Sequence, residues 1–403
     1  MPQFARDYHA DYHLDDAELS ARWDEVIPDL HAKCPVARSE QGEGYWVVNS
    51  YEDVNRCAKD WQTFSSADGF MVNRPEGMPY FFPAETDPPL QRALRATLDP
   101  FLRSNRMAEL QPAVRAYANE LIDGFIGDGE VELVSRFAEL LPQYVFSTLI
   151  AGMNPADMPY LVECFSFVAP DAERTAGFAS GMVKIEEYLS ARREQPSRGD
   201  IVDALLAFEY EGYGWMDRVG TMSQLTIGGV GTTGFGFSGG LHHLATHLED
   251  RKLLVEEPNR IAKAVEEFLR FYLGVPNMAR RVTGDVEVGG VQMKKGDRVL
   301  LSFGAASRDP NVCEDPDTLD ISRRAVKHLA FGSGVHRCIG QPLARMVLNV
   351  GYTEFLKRIP DFDVAPGFTP SYKTGATRQM VELPLRFGSA AAGSVAPGQK
   401  ASR

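Results

Sequence analysis

Phe331-Gly332-Ser333-Gly334-Val335-His336-Arg337-Cys338-Ile339-Gly340 presents one cysteine in a glycine-shaped loop, directly before a run of helical character. Gly332 and Gly334 are free to take the positive φ that residues with a Cβ resist, and Gly340 lets the backbone approach a flat ligand. Backbone N–H groups converge on Cys338. Together with the helix start through Pro342-Leu343-Ala344-Arg345 they favour the anionic sulfur, the form that ligates iron. Phe331 is placed to shield one side of it. The ordinary alternative is a small buried hydrophobe, as free cysteines usually are.

Working outward, the chain reads as helical from Pro89 to about Leu273. Leu110, Val114, Ala118 and Leu121 share one helical face, with Arg115, Asn119 and Asp123 elsewhere. Gly44-Tyr45-Trp46-Val47-Val48-Asn49 predicts a short strand, and Ser50 before Asp53 predicts a helix N-cap. Strand character returns at Val286-Glu287-Val288 and Arg298-Val299-Leu300-Leu301-Ser302, and a last pair is expected to flank Pro366-Gly367. The fold class is therefore α+β, predominantly α, with small segregated sheets. One domain over residues 1–388 is expected, followed by a disordered tail, 389–403, rich in Ala, Gly, Ser and Pro.

Seven glycines lie between Gly228 and Gly240, flanked by helix formers, and each costs a helix about 1 kcal/mol relative to alanine. Gly229-x-Gly231-x-x-Gly234 imitates a dinucleotide fingerprint, but Val219 to Leu225 lacks strand alternation and no crossover strand follows. The better reading is a long helix passing over the ligand face opposite Cys338, with a local opening of the helix for dioxygen.

The pattern F-G-x-G-x-H-x-C-x-G resembles the haem-ligand loop of the cytochrome P450 family, with every fixed position filled. The resemblance implies that fold, a helical domain with small sheets enclosing haem b, with Cys338 as metal ligand. Thiolate ligation favours O–O cleavage, so the expected activity is that of a monooxygenase. Gly228, Gly229 and Thr232 match the oxygen-side motif A/G-G-x-D/E-T, and Thr233 is a neighbour able to substitute for Thr232. Gly231 departs from the motif where the family has a proton-relaying carboxylate, which leaves water-mediated relay, peroxide use or an atypical reaction open. The resemblance further implies that Gln91, Arg95, Arg280 and His336 cradle the haem with Phe331 and Gly340, and that Glu267, Arg270 and Arg323 form a buried ion network. Gln91, the segment 290–297 and the segment 358–362 are similar to the camphor-hydroxylating branch.

Family substrate-contact segments map to Phe70, Phe81, Phe82, Ile227, Val230, Thr232, Val275, Asn277, Met278, Ala376 and Thr377, a mainly apolar set suited to a compact terpenoid or aromatic molecule. The residues contain no flavin or iron–sulfur module, so electrons are expected from a ferredoxin and its NAD(P)H-dependent reductase, docking near Arg92, Arg95, Arg337 and Arg345, which with Arg103 make up a candidate basic patch for an acidic protein partner. A net charge of −13 argues against nucleic acid as a partner. Five scattered cysteines without a C-x-x-C pair indicate neither a disulfide framework nor a zinc site. His243 and His247 have ligand spacing but no third partner, and surface or packing histidines are expected. With no signal peptide or continuous apolar span, a cytoplasmic location without membrane contact is expected. A non-catalytic haem-thiolate gas or redox sensor is the alternative from another class.

Overall fold

The computed structural model describes residues 3–33, 35–72, 74, 78–165, 171–374 and 377–388; Cys34, Ala376 and the expected tail 389–403 lie outside them, as does the side chain of Val230. Five helices frame the interior: α1 (Leu90–Leu98), α2 (Ser104–Asp123), α3 (Trp215–Thr246), α4 (Ile261–Phe271) and α5 (Gln341–Arg358). No helix among the described residues is long and apolar enough to cross a membrane.

The sequence of α3 is apolar nearly all round, and a helix of that kind belongs inside the molecule. Val219, Met222, Leu225, Phe235, Phe237, Leu241 and Leu244 are all buried. Most of its glycines are where neighbours cross. A Cβ on Gly239 would lie 2.3 Å from Tyr272 Cγ, one on Gly234 3.1 Å from the Ala138 carbonyl, and one on Gly236 3.2 Å from Leu348. The Tyr352 hydroxyl occupies the space beside Gly240 and donates to the Gly236 carbonyl at 2.6 Å. α3 is helical throughout, with no strand before it, which disposes of the dinucleotide geometry.

On α2, Val114 and Ala118 are buried as the spacing predicts, but Met107 and Ile122 complete the stripe while Leu110 and Leu121 sit half-buried at its margin. The polar side of α2 is put to use. Arg115 and Asn119 both reach Glu354 on α5, and Arg358 donates to Asn119 at 2.9 Å and Asp123 at 2.6 Å.

The main sheet has five strands, β1 (Val36–Ser39), β2 (Tyr45–Val48), β3 (Phe64–Ser65), β4 (Asn277–Val282) and β5 (Arg298–Ser302), in the order β1-β2-β5-β4-β3. β2 and β5 run parallel, Tyr45 opposite Arg298, while the other pairs are antiparallel. Ser50 caps the helix after β2, accepting from the Asp53 N–H at 3.2 Å. Val286–Val288 and Val291–Met293 form a hairpin turned by Gly289 and Gly290 at φ 53° and 80°, the geometry a two-residue turn requires.

The pair expected around Pro366-Gly367 is not a hairpin. Phe362–Val364 joins Pro384–Phe387, which also pairs with the unpredicted strand Glu130–Glu132, whereas Tyr372–Thr374 pairs with Arg378–Met380. The Ala365 N–H is already committed to the Pro384 carbonyl at 2.9 Å, so the chain leaves that sheet before it turns.

Gly239→Ala should lower the denaturant midpoint, because overpacking against the Tyr272 ring costs about 1–3 kcal/mol and outweighs a propensity gain of about 1 kcal/mol. Gly228→Ala, where a Cβ meets nothing within 4 Å, should leave the midpoint equal or higher. Equal midpoints for the two variants would contradict this assignment of the glycines.

Candidate functional site

The cysteine loop closes on itself: the Cys338 N–H donates to the Phe331 carbonyl at 2.8 Å and the Arg337 N–H to the Gly334 carbonyl at 3.2 Å. Gly332 and Gly334 have φ 64° and 68°. Gly334 is constrained twice, since a Cβ there would lie 2.3 Å from the Ala58 carbonyl. α5 begins immediately after, with Gly340 at its N-cap and Pro342 in its first turn. Cys338 is exposed to an internal cavity, and its sulfur is deep in the protein even so. Burial pushes the thiol up, while the N–H groups of Gly340 and Gln341 and the guanidiniums of Arg95 and Arg345 pull it down.

That cavity lies between walls that bring distant parts of the chain together. Cys338, Phe331 and Gly340 form one side; Gly228, Gly229, Thr232 and Thr233 of α3 form another. Thr232 donates its hydroxyl to the Gly228 carbonyl at 2.9 Å. The expected opening does not interrupt the helix, which continues through Gly228 to Thr232, and the Thr232 hydroxyl is an added donor to the Gly228 carbonyl. Gly231 is buried and is not part of the wall. Gly274 was not singled out from sequence, yet a Cβ there would lie 2.6 Å from the Thr232 carbonyl, so only glycine lets the chain after α4 pass this close to α3.

A third edge of the cavity holds the guanidiniums of Arg95 and Arg280 and the imidazole of His336. Burial, then the nearby Arg298, lowers the Arg280 guanidinium to about 10. Burial, then Arg280 and Arg95, lowers His336 to about 3. His336 Nε2 is buried without a hydrogen bond, 4.0 Å from Asp87 Oδ1, and the Asp87 carboxylate accepts instead from the Ser65 hydroxyl and the Ser66 N–H. Gln91 donates to the Val335 carbonyl at 2.5 Å, tying α1 to the cysteine loop.

The cytochrome P450 family pattern matches residues 178–369. Nocardicin C N-oxygenase of Nocardia uniformis subsp. tsuyamanensis is 33% identical over 394 residues, covering 90% of this chain and 97% of that protein. The chain belongs to the cytochrome P450 family. Vitamin D(3) 25-hydroxylase of Pseudonocardia autotrophica is 31% identical, covering 89% of this P450 and 92% of the relative. The crystal structure of CYP109E1 from Bacillus megaterium in complex with testosterone shares the fold, with a TM-score of 0.83 and 24% identity over 92% of this chain and 99% of that one.

P450s hold haem b through a cysteine thiolate, and when bound the group supplies oxygen activation. The residues of this P450 fit it. Cys338 faces the cavity, and beside it Arg280 has no ion-pair partner among the described residues and His336 Nε2 no hydrogen bond, partners that two carboxylates would provide. Arg95, Arg280 and His336 would hold those carboxylates, and Phe331 and Gly340 would line the thiolate side.

Beneath the loop, α4 carries two adjacent carboxylates with separate duties. Glu267 takes Arg270 bidentately at 2.7 and 2.8 Å and Arg323 at 3.3 Å. Arg270 also donates to the carbonyls of Ser307, Pro316 and Thr318, and Arg323 to those of Glu314, Asp315 and Thr318. Glu266, unremarked in the sequence, grips Arg345 at 2.5 and 2.7 Å and His328 at 3.1 Å. Arg345 in turn covers the Phe331 ring, 4.6 Å from its centroid.

Val275, Met278 and Thr232 line the cavity, but Phe70, Phe81, Phe82, Ile227, Asn277 and Thr377 are not in its walls. Ile227 points off the stripe formed by Gly228 and Thr232, and Phe82 packs on Tyr80 and Tyr213. Pro83, Ala84, Pro142, Phe146, Gln224 and Leu225 stand in the walls instead. Sequence offered no signal for Pro142 and Phe146, which lie on a helical stretch remote from every motif. His243 and His247 stack at 4.0 Å, and His243 pairs with Asp250 at 2.7 Å, so they pack as expected.

Burial opposes the Glu266 carboxylate, but Arg345 and His328 hold it at about 2, below its ordinary 4.5. A depressed folded value means stability present above about pH 4.5 and lost as pH falls toward 2. Glu266→Gln should cost on the order of 1–3 kcal/mol at neutral pH and flatten the acid limb of a stability profile. An unchanged acid limb would remove Glu266 from this role.

Proposed function

We propose that this cytochrome P450 is a monooxygenase that inserts one oxygen atom from O2 into an apolar substrate of terpenoid or aromatic type. The observation that carries this reading is a single cavity with Cys338 on one side, the hydroxyl of Thr232 on another, and mostly apolar walls between them. Thr232 holds a proton at its Oγ near the reacting position, with Thr233 beside it. Leu225, Phe146, Val275 and Met278 exclude water and orient an apolar body. Gly231 supplies no carboxylate, so water relays protons to Thr232 in its place.

The reduced, carbon-monoxide-bound protein should show the optical band of thiolate ligation, and Cys338→Ser should lose that band and monooxygenase turnover together. A Cys338→Ser protein with an unaltered band would overturn the reading. In the relay, Gly231→Asp should improve the coupling of reductant consumed to product formed; coupling unchanged or worse would count against a relay left incomplete by Gly231.

Electrons come from a ferredoxin served by an NAD(P)H-dependent reductase, docking on the cysteine side. Arg92, Arg103 and Arg337 are exposed there, while Arg345 is engaged by Glu266 and Arg95 by Asp99 and the Arg337 carbonyl. Turnover should fall steeply with ionic strength at constant substrate affinity. A flat salt response would argue for a different electron donor or face.

A further inference from the structure

Gln224 on α3 has no part in the machinery described above, yet it lines the cavity with Leu225, Gly228, Gly229 and Thr232. Positions 224, 228 and 232 recur every four residues and so form one stripe along the helix. Three other polar groups of the wall are already engaged. Thr232 donates to the Gly228 carbonyl at 2.9 Å, Gln91 to the Val335 carbonyl at 2.5 Å, and Ser333 to Asn55 at 2.7 Å. The Gln224 amide has two N–H donors and a carbonyl acceptor, and among the described residues nothing bonds to it.

Its surroundings leave room for a partner. A Cβ on Gly228 would meet nothing within 4 Å, so the cavity that the haem shares reaches α3 between Gln224 and Thr232. Leu225, Pro83, Ala84 and Phe146 make the rest of this region apolar. An entirely apolar occupant would strip water from the amide and give nothing back, which is costly. An occupant with an oxygen at that point would be selected over its deoxygenated analogue.

We propose that Gln224 is a specificity-determining residue that hydrogen-bonds an oxygen already present on the substrate, so that the enzyme takes an oxygenated terpenoid and oxidises it at a remote carbon. Eight residues of helix separate Gln224 from Thr232, a rise of about 12 Å. The side chain itself spans part of that distance, so the existing oxygen and the oxidised carbon lie roughly two helical turns apart or somewhat less. The inference rests on the monooxygenase reading above. It also implies a preceding reaction that installs the first oxygen on the terpenoid skeleton.

The test uses the haem-loaded protein and optical spin-state titration, which reads binding without turnover. Two matched ketone and hydrocarbon pairs serve as probes: camphor with bornane, and the longer nootkatone with valencene. The wild-type protein should bind nootkatone about tenfold more tightly than valencene, the value of one hydrogen bond. Gln224→Leu should bring that ratio within about twofold by weakening nootkatone alone, and should leave the camphor-to-bornane ratio unchanged. A wild-type protein without the nootkatone preference, or a Gln224→Leu protein that keeps it, would overturn the proposal. The reduced, carbon-monoxide-bound spectrum of each sample separates the two readings. If the thiolate band is intact, a failure falls on Gln224 alone; if the wild-type protein lacks it, the monooxygenase reading itself has failed.

Discussion

Two neighbouring carboxylates on one helix hold the thiolate side of this P450 in place. Glu267 faces inward and, through Arg270 and Arg323, gathers the carbonyls of residues 307–318, a stretch with little regular structure of its own. Glu266 faces the other way and ties His328 to Arg345, which stand on either side of the cysteine loop. The loop is thus clamped at both ends from a single turn of α4. Such ions are expensive to bury, and removing one partner is costlier than never having had the pair, because the survivor is left charged without compensation. What they secure here is position: Cys338 is presented to the cavity at the start of α5, with Phe331 held under the Arg345 guanidinium.

Opposite, α3 meets two demands that pull its composition the same way. At Gly228 it borders open space in the cavity wall, at Gly234 it lets the Ala138 backbone pass, and at Gly229, Gly236, Gly239 and Gly240 it makes room for the side chains of Phe146, Leu348, Tyr272 and Tyr352. Both call for glycine, and the cost in helix propensity is met by burial of the aromatic and aliphatic residues between them. The Tyr352 hydroxyl adds a polar tie at the tightest crossing.

Much of this was legible in the residues. The cysteine loop, the Ser50 cap, the strands after Gly44 and at Arg298, and the spacing of Glu267 to Arg270 are local patterns whose physics lies within a few residues. Pairings across the chain were not. Nothing local says that Phe362–Val364 belongs with Pro384–Phe387, or that Glu130–Glu132 extends that sheet, since three-residue strands carry too little alternation to be seen. Glu266 was hidden because an acid on a helix is ordinarily solvated, and only the fold brings Arg345 to it. The cavity walls were the least readable part. Segments point to a pocket, but which side chain faces it depends on rotations of about 100° per helical residue, and that is how Gln224 was missed and Ile227 chosen.

The parallel pairing of β2 with β5 joins residues 45–48 to residues 298–301. A chain leaving the ribosome grows at about 5–20 residues per second, so β2 waits roughly ten to fifty seconds before its partner exists. During that time Val47 and Val48, fully buried in the finished protein, have only β1 to pair with and lack the rest of the sheet. The short hydrophobic strand is therefore a point of vulnerability in biosynthesis, and the interval in which a holdase chaperone would be most useful is set by topology.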